Sequence, residues 1–143
     1  MTSPADVVER FVKAWNDRDV EAMTATLSPD CEVSRPGGEV LRGKEQIVAR
    51  QRQDWDSFPD TRIDIKLLVS EGTTVVEEST STGTNTGPLH LPNGTTIPAT
   101  GRQVVMPYAT FWEVKDGLIV AVRDYWDNVA MLEQLGLLPT PAA

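Results

Sequence analysis

The sequence of 143 residues holds a single cysteine, Cys31, and a single histidine, His90. One cysteine excludes an intramolecular disulfide and any cysteine-based structural zinc site. One histidine among scattered carboxylates is a poor metal signature, so neither a metal nor a cofactor is expected. No apolar run approaches the roughly 18 residues that a membrane helix needs. The opening MTSPADVVER has no basic stretch followed by an apolar one, so no signal peptide is expected and a cytoplasmic location is the default. Basic residues are few: 13 Lys and Arg against 21 Asp and Glu leave a formal charge of −8. That balance argues against nucleic acid or an anionic membrane as partner. The glycines of STSTGTNTG come without the lysine of a phosphate-binding loop, and no Ser-His-Asp or Cys-His arrangement has a recognisable context.

What is present fits one globular domain over residues 1–143, with a core from about 5 to 137 and a proline-rich tail. Ser3, Pro4 and Asp6 form a helix start, and Val8, Phe11, Val12 and Trp15 recur at helical spacing up to about Arg18. Asp19 can cap a short helix, VEAMTATL, that stops before Ser28-Pro29-Asp30. After the extended piece CEVSRPGGEVLRG, a third helix starts near Lys44 with Ile47, Val48, Gln51 and Trp55 on one face. From Thr61 the period changes to two. IDIKLLVSEG, TTVVEESTSTGTNTG, RQVVMPYATFWEVKDG and LIVAVRDYWD are expected to be four strands joined by hairpins at Glu71-Gly72 and Asp116-Gly117. Residues 87–101 form a long loop with three prolines, in which His90 is expected to be solvated. A short helix, NVAMLEQLG, closes the chain. Helices first and long antiparallel strands after them give an α+β fold: a curved sheet wrapped around the N-terminal helices as a cone with one open end. A small-molecule site belongs between helix and sheet.

Alternation along the last strand puts Val120, Val122, Asp124 and Trp126 on one face. Asp124 is then a carboxylate among apolar groups, where burial raises its proton affinity and makes it a stronger base. Such a group suits removal of a proton next to a carbonyl. The alternative is a solvated strand end. Asp127 precedes the last helix and is expected to cap it. Arg123 faces away from Asp124, exposed or paired with an acid on a neighbouring strand. Asn85 either donates to a ligand carbonyl or folds its turn. Tyr108, Thr110 and Trp112 share a face of the preceding strand, but the turn register that decides whether Asp124 joins them is not fixed by the sequence.

Four segments, VVERFVKAWNDRDVEAM, GTNTGPL, IPATGR and KDGLIVAVRDYWDNVAMLEQLG, resemble the SnoaL-like polyketide cyclases of the nuclear transport factor 2-like superfamily. The resemblance implies a cofactor-free intramolecular aldol ring closure, with Asp124 as the base. It further implies a homodimer joined through sheet backs and a hydrophobic small-molecule substrate. Asn85, Thr110 or Tyr108 would orient or stabilise the enolate, Trp15, Trp55 and Trp126 would form the wall, and loop 87–101 would cover the mouth. Two positions depart from the family: Thr110 and Asn85 stand where those cyclases often carry histidine. Related isomerases, epoxide hydrolases and hydroxylases remain alternatives, as does a non-catalytic dimer that binds a hydrophobic ligand. An Asp124 paired with arginine or exposed to water would favour a non-catalytic role.

Overall fold

The computed structural model describes residues 2–138, so the proline-rich tail lies outside the described residues. In chain order the elements are α1 (Pro4–Asp17), α2 (Val20–Ala25), β1 (Leu27–Arg35), β2 (Glu39–Arg42), α3 (Lys44–Ser57), β3 (Arg62–Glu71) and β4 (Thr74–Thr84). They continue with β5 (Leu89–His90), β6 (Thr96–Ile97), β7 (Gln103–Lys115), β8 (Leu118–Tyr125) and α4 (Asn128–Gln134). A six-stranded sheet in the order β2-β1-β8-β7-β4-β3 curves around the helices, giving the single α+β domain expected. No helix among the described residues is long and apolar enough to cross a membrane.

Helix α1 starts on a reciprocal cap, Ser3 Oγ accepting from the Asp6 amide and the Asp6 carboxylate from the Ser3 amide. Its stripe Val7, Val8, Phe11, Val12, Ala14 and Trp15 is buried against the sheet, where Phe11 meets Trp112 edge-on with centroids 5.1 Å apart. Each such buried side chain stabilises the fold by about 1.5–3 kcal/mol. On α3, Ile47 is buried and Val48 and Trp55 pack on the same core.

Three register slips bend the sheet. One lies between Ile65 and Leu67 on β3, one between Glu113 and Val114 where β7 meets β8, and one between Leu27 and Glu32 where β1 meets β8. The last corrects the expectation that helix α2 runs to Leu27 and that the chain breaks before Ser28. Strand β1 already begins at Leu27 and carries Ser28-Pro29-Asp30 through the slip, where Pro29's missing N–H leaves no ladder bond broken. The β1–β8 pairing is parallel, so the sheet is mixed rather than wholly antiparallel. The β7–β8 slip also corrects the face assignment. Glu113 pairs with Ala121 and Val114 with Ile119, leaving Val120 as the extra residue. Ile119 and Val122 therefore both point inward, and Val120 does not share the face of Asp124.

The hairpins fall where the sequence places them. Asp116 and Gly117 both take positive φ, 52° and 77°, as a two-residue turn matched to strand twist requires. Loop 87–101 is more ordered than expected: β5 and β6 form a small hairpin, with Leu89 buried and Leu91 and Ile97 packed beside Met106, Trp126 and Leu135. His90 sits in β5 and is half-buried rather than solvated.

Candidate active site

Thr110 pairs with Asp124 across β7 and β8 and with Glu77 across β4 and β7. Cross-strand partners point to the same side, so Glu77, Thr110 and Asp124 form one row on the inner face. This register settles that Tyr108, Thr110 and Trp112 face inward with Asp124.

Thr110, itself buried, donates from Oγ1 to Asp124 Oδ1 at 2.8 Å. Burial pushes the Asp124 carboxyl up to about 6. The Thr110 hydrogen bond and the charge of Arg35 pull it down, while Glu77 and Asp54 add to the rise. A carboxylate in that state is ionised at neutral pH and still holds protons more tightly than a solvated one.

Arg35 ends β1 one residue beyond the Ser34–Arg123 pairing, which brings it next to Asp124. Its guanidinium nevertheless belongs to a different set of partners. Nη1 lies 3.0 Å from Asp54 and Nε 3.2 Å from Glu39, while Arg50 holds Glu39 at 2.9 Å from the other side. Burial works against the charge of Arg35, but Asp54, Glu39 and Asp124 together hold its proton more tightly than usual. The guanidinium also stacks over Trp126 at 5.3 Å. Asp124 thus feels a positive field while its own hydrogen-bond partner is the neutral Thr110.

Glu77 was not legible as a site residue. It is 0% exposed and accepts from Ser79 Oγ at 2.5 Å, Tyr108 Oη at 2.9 Å and Trp112 Nε1 at 2.9 Å. The available signal was alternation, since Val75, Glu77 and Ser79 share a face whose other members are buried. Nothing in SRPGGEV marked Arg35, because its role depends on the parallel pairing of β1 with β8.

Of the other expected site residues, Tyr108 is brought to the row, but its hydroxyl donates to Glu77. Burial, and then the Glu77 charge, push the phenol well above the ordinary tyrosine range. Asn85 is corrected. It is 0% exposed, its amide donates to Ser57 O and Gly87 O, and its Oδ1 accepts from the Thr100 amide and hydroxyl. All four of its hydrogen-bonding positions tie the 87–101 loop to α3, which leaves none for a ligand. Trp126 packs beside this loop, with Nε1 donating to Asn128 at 2.8 Å. Trp15 and Trp55 lie together at the α1–α3 contact, centroids 6.0 Å apart, under Arg18. Trp15 Nε1 donates to Gln51, whereas Trp55 Nε1 is buried without a partner among the described residues. Asp127 caps α4 by accepting from the Ala130 amide, and Arg123 pairs with Glu113 at 3.0 Å, both as expected. Cys31 is buried, and burial pushes its thiol up to about 12, away from the thiolate.

Two open surface hollows are present among the described residues. One of about 360 Å³ sits between α1 and α2 near Lys13 and Asp19, and one of about 420 Å³ lies on the sheet near Lys66, Glu78 and Pro107. Asp124 lines neither of them. The convergent polar groups are on the inner face, and Ser79 and Tyr108 of that set also line the hollow near Lys66.

The model of the SnoaL-like polyketide cyclase family matches residues 5–135. No curated protein matches the chain. Among solved structures, TsrD from Streptomyces laurentii is 29% identical with a TM-score of 0.79, over 94% of this chain and 95% of that one. IdmH, a proposed polyketide cyclase from Streptomyces antibioticus, is 27% identical with a TM-score of 0.78, over 94% and 99%. A proposed SnoaL-like polyketide cyclase from Jannaschia sp. CCS1 superposes with a TM-score of 0.84 at 23% identity, over 95% and 93%, a likeness of fold.

Proposed function

Because the chain belongs to the SnoaL-like polyketide cyclase family, we propose that it closes a ring in a polycyclic ketone or ester by a cofactor-free intramolecular aldol reaction. The observation that carries this is Asp124: a carboxylate on the inner face, raised to about 6 by burial and held by Thr110. The carboxylate takes a proton from the carbon next to a carbonyl. The enolate carbon then bonds to a second carbonyl carbon of the same molecule, and the resulting alkoxide takes the proton back from Asp124. Thr110 keeps the carboxylate aimed, and Tyr108 and Trp126 meet the substrate beside it. Trp15 and Trp55 supply apolar wall, and loop 87–101 shields the mouth from water. Asn85 acts by holding that loop.

The outer face of the sheet exposes Leu67, Val69, Val105 and Tyr125, with Phe111 against Tyr125. An apolar strip of this kind suits a second copy of the chain, and the working form is proposed to be a homodimer.

Incubation of a polycyclic keto ester in deuterated water tests the reaction. Exchange at the carbon next to the carbonyl reports proton removal, and a mass-neutral product reports ring closure. Asp124→Asn is expected to lower both by about 10²–10⁴-fold. Exchange that persists at the wild-type rate in this variant overturns the assignment.

A further inference from the structure

We propose that Glu77 is a positioning residue of this site: its enclosed carboxylate fixes the direction of the Tyr108 hydroxyl and holds a standing negative charge in the same row as Asp124. The proposal rests on Asp124 as the base and adds a residue that never touches substrate, since Glu77 is 0% exposed.

A carboxylate buried this fully is tolerated only when its oxygens are satisfied. Here the satisfaction comes from neutral donors, Ser79 and Tyr108 on Oε2 and Trp112 on Oε1. An indole N–H can only donate, and three donors on the two oxygens favour the carboxylate over the acid. Thr110 lies between Glu77 and Asp124 and gives its own proton to Asp124. The groups that surround the pair are Ser79 on β4, Tyr108, Thr110 and Trp112 on β7, and Arg35 on β1. Arg35 is held in turn by Glu39 on β2 and Asp54 on α3. The only cation in this set is tied to other acids, and its charge opposes that of Glu77 at Asp124.

Two consequences follow for the site. With its hydroxyl donating to Glu77, Tyr108 offers the interior only lone pairs, so the group it receives from a ligand is a hydroxyl rather than a carbonyl. The same charge also disfavours ionisation of Asp124, which strengthens it as a base; it is among the causes of that carboxyl's rise.

The test uses the chain's two tyrosines, Tyr108 and Tyr125, the latter 55% exposed. In a Tyr125→Phe background the remaining phenol is expected to show no ultraviolet ionisation step up to about pH 11. Adding Glu77→Gln is expected to bring that step back toward the ordinary value of about 10 and to lower the Asp124 midpoint by roughly half to one unit. If Glu77→Gln leaves both titrations unchanged, the proposal is overturned. Where this variant fails to fold, carbon-detected NMR of the wild-type protein decides. A carboxylate shift for Glu77 at neutral pH supports the fixed charge, and a carboxylic-acid shift there overturns it. These titrations need no substrate, so the Glu77 proposal and the aldol assignment can fail independently.

Discussion

Thr110 donates its hydroxyl to Asp124 across a strand pair, at 2.8 Å, from a side chain that is itself buried. The bond favours the ionised carboxylate, and it opposes the larger effect of burial. Thr110→Val removes the donor and keeps the shape. The Asp124 midpoint is then expected to climb above about 6 by roughly half to one unit, read by carbon-detected NMR. Thr110→Ser keeps the hydroxyl and is expected to leave the midpoint in place.

The base is held at a cost to stability. The folded-state value of about 6 lies above the ordinary 3.8, so the folded protein binds this proton more tightly than the unfolded chain. Stability contributed by the protonated form is complete below about pH 4 and is lost as pH rises through about 6. Asp124→Asn is expected to stabilise the protein at pH 8, by an upper limit on the order of 3 kcal/mol, and to change little at pH 4. Urea denaturation at the two pH values checks this.

Asn85 carries four hydrogen bonds between the 87–101 loop and the end of α3. Asn85→Ala removes the partner of the Gly87 carbonyl and of the Thr100 amide and hydroxyl, and is expected to cost about 2–4 kcal/mol in urea denaturation. The Asp124 midpoint should stay where it is. A variant of unchanged stability would contradict the assignment of Asn85 to the loop.

The exposed strip on the back of the sheet leads to an assembly prediction. Sedimentation of the wild-type protein is expected to give a dimer, and Tyr125→Lys, which sets a charge against Phe111 at the strip, a monomer. Asp124 lies on the opposite face, so its titration should survive in the variant.

Much of the fold could be derived from the chain because its signals are local. The α1 cap, the change of period after Thr61 and the Asp116-Gly117 turn each act over a few residues, and each appears in the structure. Strand β1 was less legible. Its Ser28-Pro29-Asp30 looks like a break, and only pairing with a strand far along the sequence makes it extended. Residue alternation, together with the resemblance to the family, singled out Asp124, but the bulge that displaces Val120 is invisible without the partner strand. Glu77 stands beside Glu78 in VVEEST, where two adjacent acids look like a solvated edge. Cross-strand register separates them, placing Glu77 within the protein and Glu78 outside. Arg35 and the acids that occupy it come from three elements, β1, β2 and α3, and no spacing rule joins those.

The most direct measurement is the titration of the Asp124 carboxyl carbon by NMR, with Asp124→Asn as the assignment control. A midpoint near 6, set by burial and tempered by Thr110 and Arg35, is expected. A midpoint near the value of about 3.9 for a solvated aspartate would contradict it, because the carboxylate would then be a strand end in water with no special strength as a base.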